Sequence, residues 1–150
     1  MPPHTRRRPL AGALVLALLA GPAPAEEAPP RPGAEFPAIP VTPYARVVPK
    51  GERRTIGFFT SLDPDCSVQG PIVARLTSPP RHGSVAFVGA EGFPRYGPSS
   101  PLSACNAKRV SGLRMEYQAG EGHEGLDAFR ALLILPEGSA YELDVKVSVR

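Results

Sequence analysis

The segment Gly120–Phe129, GEGHEGLDAF, gathers one histidine, three acids and three glycines into ten positions, the densest set of chemically capable residues in the chain. His123-Glu124 followed by Asp127 comes close to H-E-x-x-H, whose two histidines bind zinc because a helix sets positions i and i+4 on one face. Here the fifth position is aspartate and Gly120, Gly122 and Gly125 oppose a helix, so zinc-protease chemistry is excluded. Two readings remain. Glu121, Glu124 and Asp127 are hard oxygen ligands on a glycine-rich loop, a set suited to calcium. Alternatively Gly122 and Gly125 permit a backbone turn, and Asp127 accepts hydrogen bonds from loop amides before a strand begins.

Few other residues offer chemistry. His82-Gly83, in the sequence SPPRHG, belongs to a tight turn, and pairing His82 with His123 is a further way to hold a metal. Ser99, Ser100 and Ser103 lack the G-x-S-x-G context of an activated nucleophile. Cys66 and Cys105 are 39 residues apart, unlike a C-x-x-C redox pair, and two cysteines are too few for a multi-cysteine zinc site. These residues specify no enzyme. Phe93 and Tyr96, in a long Gly/Pro/Ser-rich connection, are the aromatic candidates for a partner-binding hot spot.

The first 25 residues explain where such a chain works. Arg6-Arg7-Arg8, an apolar run from Leu10 to Ala20 and Ala23-Pro24-Ala25 form the three regions of a cleaved signal peptide. The run is about half a membrane span, so no anchor is expected. Thr5-Arg6-Arg7 also fits a loose twin-arginine pattern, leaving the export route open. Of 17 basic and 14 acidic residues, the three arginines before the cleavage point are removed, leaving fourteen of each sign. With the net charge formally neutral, nucleic-acid binding, which needs a basic stripe, loses its main support and is not expected. In an oxidising periplasm or extracellular space, the even cysteine count reads as a Cys66–Cys105 disulfide.

The elements that must position these residues are strands. Residues 26–43 open with a proline-rich leader, five prolines among positions 26–40, which cannot pair in a sheet interior. Residues 44–150 suit one domain. In YELDVKVSVR, Tyr141, Leu143, Val145, Val147 and Val149 alternate with polar residues, one face buried and one wet. DAFRALLIL, 127–135, is more continuously apolar, as in a strand packed on both sides or at a sheet centre. Pro136–Ser139 between them predicts a hairpin. Strands are also expected over 44–48, 54–60, 72–78, 84–88 and 113–118, with a long loop over 89–112. About seven short strands without an amphipathic helix predict an all-β sandwich.

Two segments carry a resemblance. SPPRHGSVAF (78–87) resembles the P-x-H-G-[ST]-[VL] segment, and MEYQAGEGHEGLDAFRALL (115–133) the Y-x-P-x-x-G-[FY]-x-G-x-D-x-F segment, of bacterial immunoglobulin-like and cadherin-like domains. The resemblance implies a single immunoglobulin-like sandwich over 44–150, acting outside the cytoplasm as a structural or adhesive module on a protein or cell-envelope component. It departs from the pattern at Ala119, where proline is usual, and at His123, where an aromatic is usual. The cysteine pair is also foreign to the general family.

Overall fold

The computed structural model describes residues 38–150; the expected signal peptide and most of the expected leader lie outside the described residues. Seven strands form two sheets: β1 (Val41–Val48), β2 (Arg53–Phe59), β3 (Val73–Ser78), β4 (Gly83–Gly92), β5 (Val110–Ala119), β6 (Gly125–Ile134) and β7 (Ala140–Val149). One sheet has the order β1-β7-β6-β3 and the other β2-β5-β4. All pairs are antiparallel except β1 with β7, where Val41 sits beside Glu142 and Val48 beside Val149. The only helix among the described residues is one short 3-10 turn, Ser103–Ala107. The all-β, two-sheet architecture expected from the sequence is what forms.

The core lies between the sheets. β7 buries Leu143, Val145, Val147 and Val149, the residues its alternation selects. Facing them from the other sheet are Ile56, Met115, Tyr117 and Ala119. β6 departs from its apolar text. It runs at the sheet centre between β7 and β3, but only one of its faces is packed: Asp127, Phe129, Ala131 and Leu133 are buried, whereas Leu126 is 76% exposed and Arg130 faces solvent. Arg130 reaches Glu142 at 3.6 Å and Asp144 at 3.9 Å, exposed pairs that contribute little to stability.

Strand boundaries differ most around the expected long loop. β4 continues to Gly92 and β5 starts at Val110, so the connection shrinks to 93–109. The glycines that read as loop have a packing reason. A Cβ at Gly112 would lie 2.5 Å from the Phe59 carbonyl and 2.7 Å from the Phe58 ring, and one at Gly92 would lie 2.9 Å from that same ring. Phe58 lies over both glycines, and strand pairing continues beneath it. β1 likewise begins at Val41, three residues before the expected Tyr44, and accommodates Pro43 as an edge strand can.

A second, smaller cluster forms outside the main core, from Leu62, Cys105 and Val110 with Phe58, Cys66, Tyr96 and Leu102 against them. The Cys66–Cys105 disulfide lies inside it, with Cα atoms 5.5 Å apart. It ties the connection 93–109 to the turn Asp63–Ser67. That turn is set by the Ser67 amide and hydroxyl, which donate to Asp65 Oδ1 at 2.9 and 2.6 Å, while Cys66 adopts φ 71°. The Ser67 hydrogen bonds hold the Asp65 carboxyl below its ordinary range. Closing a loop of 39 residues removes chain entropy from the unfolded state. Replacing both cysteines by serine should therefore cost about 4 kcal/mol in urea unfolding, with the strand signal in circular dichroism retained at neutral pH.

Candidate functional site

Two places gather the residues that the sequence singles out. The first is a knot at the end of the sandwich where β3 hands over to β4 and β5 to β6. Asp127 opens the buried run of β6 and is 5% exposed. Its Oδ1 accepts from the Arg81 amide at 3.0 Å and the Ala128 amide at 2.9 Å; its Oδ2 accepts from the His82 amide at 3.0 Å and the Tyr117 hydroxyl at 2.8 Å. Each oxygen thus takes two donors. The amides it holds belong chiefly to the β3–β4 turn.

The surrounding residues follow from that geometry. Gly83 must lack a side chain, since a Cβ there would lie 2.5 Å from the Tyr117 ring and hydroxyl. The His82 carbonyl accepts from the Gly120 amide at 2.7 Å, so His82 is clamped through both its backbone groups. Gly122 (φ 72°) and Gly125 (φ 125°) turn the β5–β6 connection in conformations that side chains disfavour. Burial alone would raise the Asp127 pKa, but the Tyr117 hydroxyl and the amides of Arg81, His82 and Ala128 together hold the carboxyl below its ordinary range. Burial, and then the Asp127 carboxylate, push the Tyr117 phenol well above its usual value.

The structure does not bring the three acids together. Glu121 and Glu124 are exposed, and Glu124 lies 3.5 Å from Lys50, while Asp127 points into the protein with its acceptors occupied. Among the described residues no group of three or more His, Cys, Asp or Glu side chains is placed to hold a metal ion. His82 and His123 do meet, but as a parallel stack with centroids 4.3 Å apart and planes 6° apart. Imidazole lone pairs lie in the ring plane, so stacked rings do not converge on one ion. His123 Nε2 is buried without a hydrogen-bond partner.

The second place is a groove of about 760 Å³ that wraps the β2 edge and runs under the start of the 93–109 connection. Phe93 and Tyr96 both line it. Phe93 is 56% exposed. Tyr96 is fixed: its amide donates to Asn106 Oδ1 at 2.8 Å, Asn106 Nδ2 returns a bond to its carbonyl at 2.9 Å, and its hydroxyl lies 3.4 Å from the Thr60 carbonyl. Burial raises its phenol pKa. Arg46, Arg95 and Arg114 also line the groove, against one acid, Glu91. Arg46 stacks on Tyr44, 3.6 Å from the ring centroid, and both side chains donate to the Ile56 carbonyl at 2.8 Å.

The sequence singles out Asp127, His82, Gly83, Phe93 and Tyr96, and the structure adds the groups they touch. Tyr117 lies ten residues before Asp127, within MEYQAGEGHEGLDAFRALL, and no local pattern there ties its hydroxyl to that carboxylate. Asn106 and the Arg46–Tyr44 pair had no local signal, because each acts on a residue ten or more positions away. Of the serines, Ser100 accepts from the Leu102 amide at 3.2 Å.

No family model matches this chain, and no curated protein matches it either. Among solved structures, the solution structure of amebosin is similar at 10% identity and TM-score 0.38, over 75% of this chain and 99% of that one. A 2,6-sialyltransferase of Vibrionaceae Photobacterium sp. JT-ISH-224 is similar at 13% identity and TM-score 0.30, over 76% of this chain and 18% of that one. Likeness at this distance carries no argument about function.

Asp127→Asn turns one carboxylate oxygen, an acceptor of two hydrogen bonds, into an amide donor facing two donors. It should cost about 2–4 kcal/mol in urea unfolding at pH 7, more than the ~1 kcal/mol of a single exposed cap. The sign with pH follows from the lowered folded pKa. The Asp127 contribution is complete above the unfolded value of about 4 and is lost as pH falls through the folded one. The acid limb of stability should therefore be shallower in Asp127→Asn than in wild type, and chelator or added calcium should move neither melting curve.

Proposed function

We propose that this chain is an exported, non-catalytic binding module with an immunoglobulin-like or cadherin-like sandwich, and that it engages its partner through the groove beneath Phe93. The observation that carries this reading is an exposed aromatic on a connection that is itself held in place. Phe93 projects at the edge of a groove whose neighbouring Tyr96 is locked by Asn106, and the disulfide fastens the same connection to the 63–67 turn. Large aromatics presented on a rigid support bind at low entropic cost. Arg114 is paired with Glu116 at 2.9 Å, which leaves Arg46 and Arg95 against Glu91, a surplus that favours a partner segment carrying acidic groups.

Other features support parts of this reading. The two segments of family resemblance meet at the Asp127 knot, where His82, Gly83, Tyr117 and Asp127 have mutually dependent structural roles. The disulfide is compatible with an oxidising compartment. Among the described residues no helix is long and apolar enough to cross a membrane.

The test is photocrosslinking from position 93 in the purified, oxidised protein against cell-envelope extract, with position 146 on the opposite sheet as control. A specific adduct from 93, lost in Arg95→Glu without a change in melting temperature, supports the groove. Equal labelling from both positions overturns it. Phe93→Ala should weaken capture of that adduct's partner roughly tenfold or more, the cost of a hot-spot aromatic, and leave folding unchanged.

A further inference from the structure

The two sheets leave four edge strands, and three of them are guarded against pairing with another chain. β1 carries Pro43 and Arg46. β2 is bulged between Thr55 and Gly57, carries Arg53 and Arg54, and has its Ile56 carbonyl occupied by Tyr44 and Arg46. β3 has only six residues, a bulge between Leu76 and Ser78, and Arg75. Proline, basic residues, bulges and shortness are the usual devices that keep edges from associating.

β4 has none of them. It is ten residues long, its register with β5 is unbroken from Gly83 to Gly92, and its sequence GSVAFVGAEG contains no proline, lysine or arginine. Among the described residues, no backbone group of β4 bonds outside the ladder with β5. Its inward residues Val85 and Phe87 pack against the core but remain only half-buried, and Val88 on the other face is 38% exposed. Beside Gly89, where an added Cβ would touch nothing within 4 Å, opens an apolar cleft of about 460 Å³ lined by Val68, Pro71, Ile72 and Leu113.

We infer that β4 pairs antiparallel with β4 of a second copy of this chain, joining two three-stranded sheets into one of six. The strand is suited to meeting itself. With Phe87 opposite its own copy, Val85 falls opposite Gly89, which brings Val85 of the second copy to the mouth of the apolar cleft. Ala86 falls opposite Val88, and Glu91, the strand's only charge, falls opposite Gly83. No like charges meet, and a two-fold axis makes the contact self-complementary. The backbone ladder supplies affinity and the cleft supplies register. This surface meets the groove beneath Phe93 only at its end, where Glu91 and Gly92 line the groove and Ile72 lines both groove and cleft.

Sedimentation velocity of the purified, oxidised protein from about 1 to about 100 µM tests it, over a range that resolves a micromolar dimer. Wild type should shift to dimer with concentration. Val88→Lys places a lysine on an already exposed position and should weaken the dimer roughly tenfold or more, at unchanged melting temperature. Val73→Lys, on the β3 edge, should leave it intact. A wild type that stays monomeric throughout overturns the inference, including one that takes up an added apolar strand peptide at β4. So does a dimer indifferent to Val88→Lys, or one broken by Phe93→Ala instead.

Discussion

The carboxylate of Asp127 is the constraint on which the arrangement of this sandwich rests. The chain leaves one sheet at the end of β3 and enters the other at the start of β4, and the turn between them exposes two amides that no ladder satisfies. Asp127 reaches from β6 of the first sheet to accept both, and its remaining capacity takes the Tyr117 hydroxyl of the second. A buried charge of this kind is tolerable only when its lone pairs are fully used. Here they are, and one side chain thereby fixes a crossover, a buried phenol and the approach of two sheets. Gly83 is a consequence rather than a cause: it is small because Tyr117 must pass it to reach the carboxylate.

This explains why the segment that looks most chemical in the sequence resolves into architecture. Acids and a histidine among glycines resemble a metal loop when read along the chain. In three dimensions Asp127, within β6, points inward, whereas Glu121 and Glu124 lie in the turn before it, Glu124 reaching Lys50 and Glu121 exposed to solvent. The turn reading of Gly122, Gly125 and Asp127 was legible from backbone chemistry. The donors were not, since Arg81 and His82 lie 46 and 45 residues away.

The strands were legible wherever burial alternates with sequence, as in β7, and least so where packing constraints mimic loops. Gly92 and Gly112 look like linker residues, but each yields space to the Phe58 ring within a paired strand. β6 shows the converse difficulty. Its apolar run suggests two covered faces, although Leu126 is exposed and Leu132 and Ile134 are half-buried. Hydrophobicity reports how much a strand can bury; pairing and layer order decide how much it does.

The open side of the sandwich between β1 and β2 shows how the groove and the fold share residues. Two edges that face each other across layers leave carbonyls without partners. Here the Ile56 carbonyl, at the β2 bulge, is filled by the Tyr44 hydroxyl and Arg46 Nε of β1. Those side chains thereby become a wall of the groove, with the guanidinium stacked on the phenol ring. The opposite wall is the 93–109 connection, held by its own turn and 3-10 hydrogen bonds, by the disulfide cluster and by the Asn106 bracket around Tyr96. A loop held that firmly would lose little further freedom on docking a partner of the kind proposed above, so an exposed Phe93 would put most of its buried area into affinity rather than into ordering its own support. Edge satisfaction on one side and loop anchoring on the other therefore produce a preorganised surface from devices whose first effect is to close the fold.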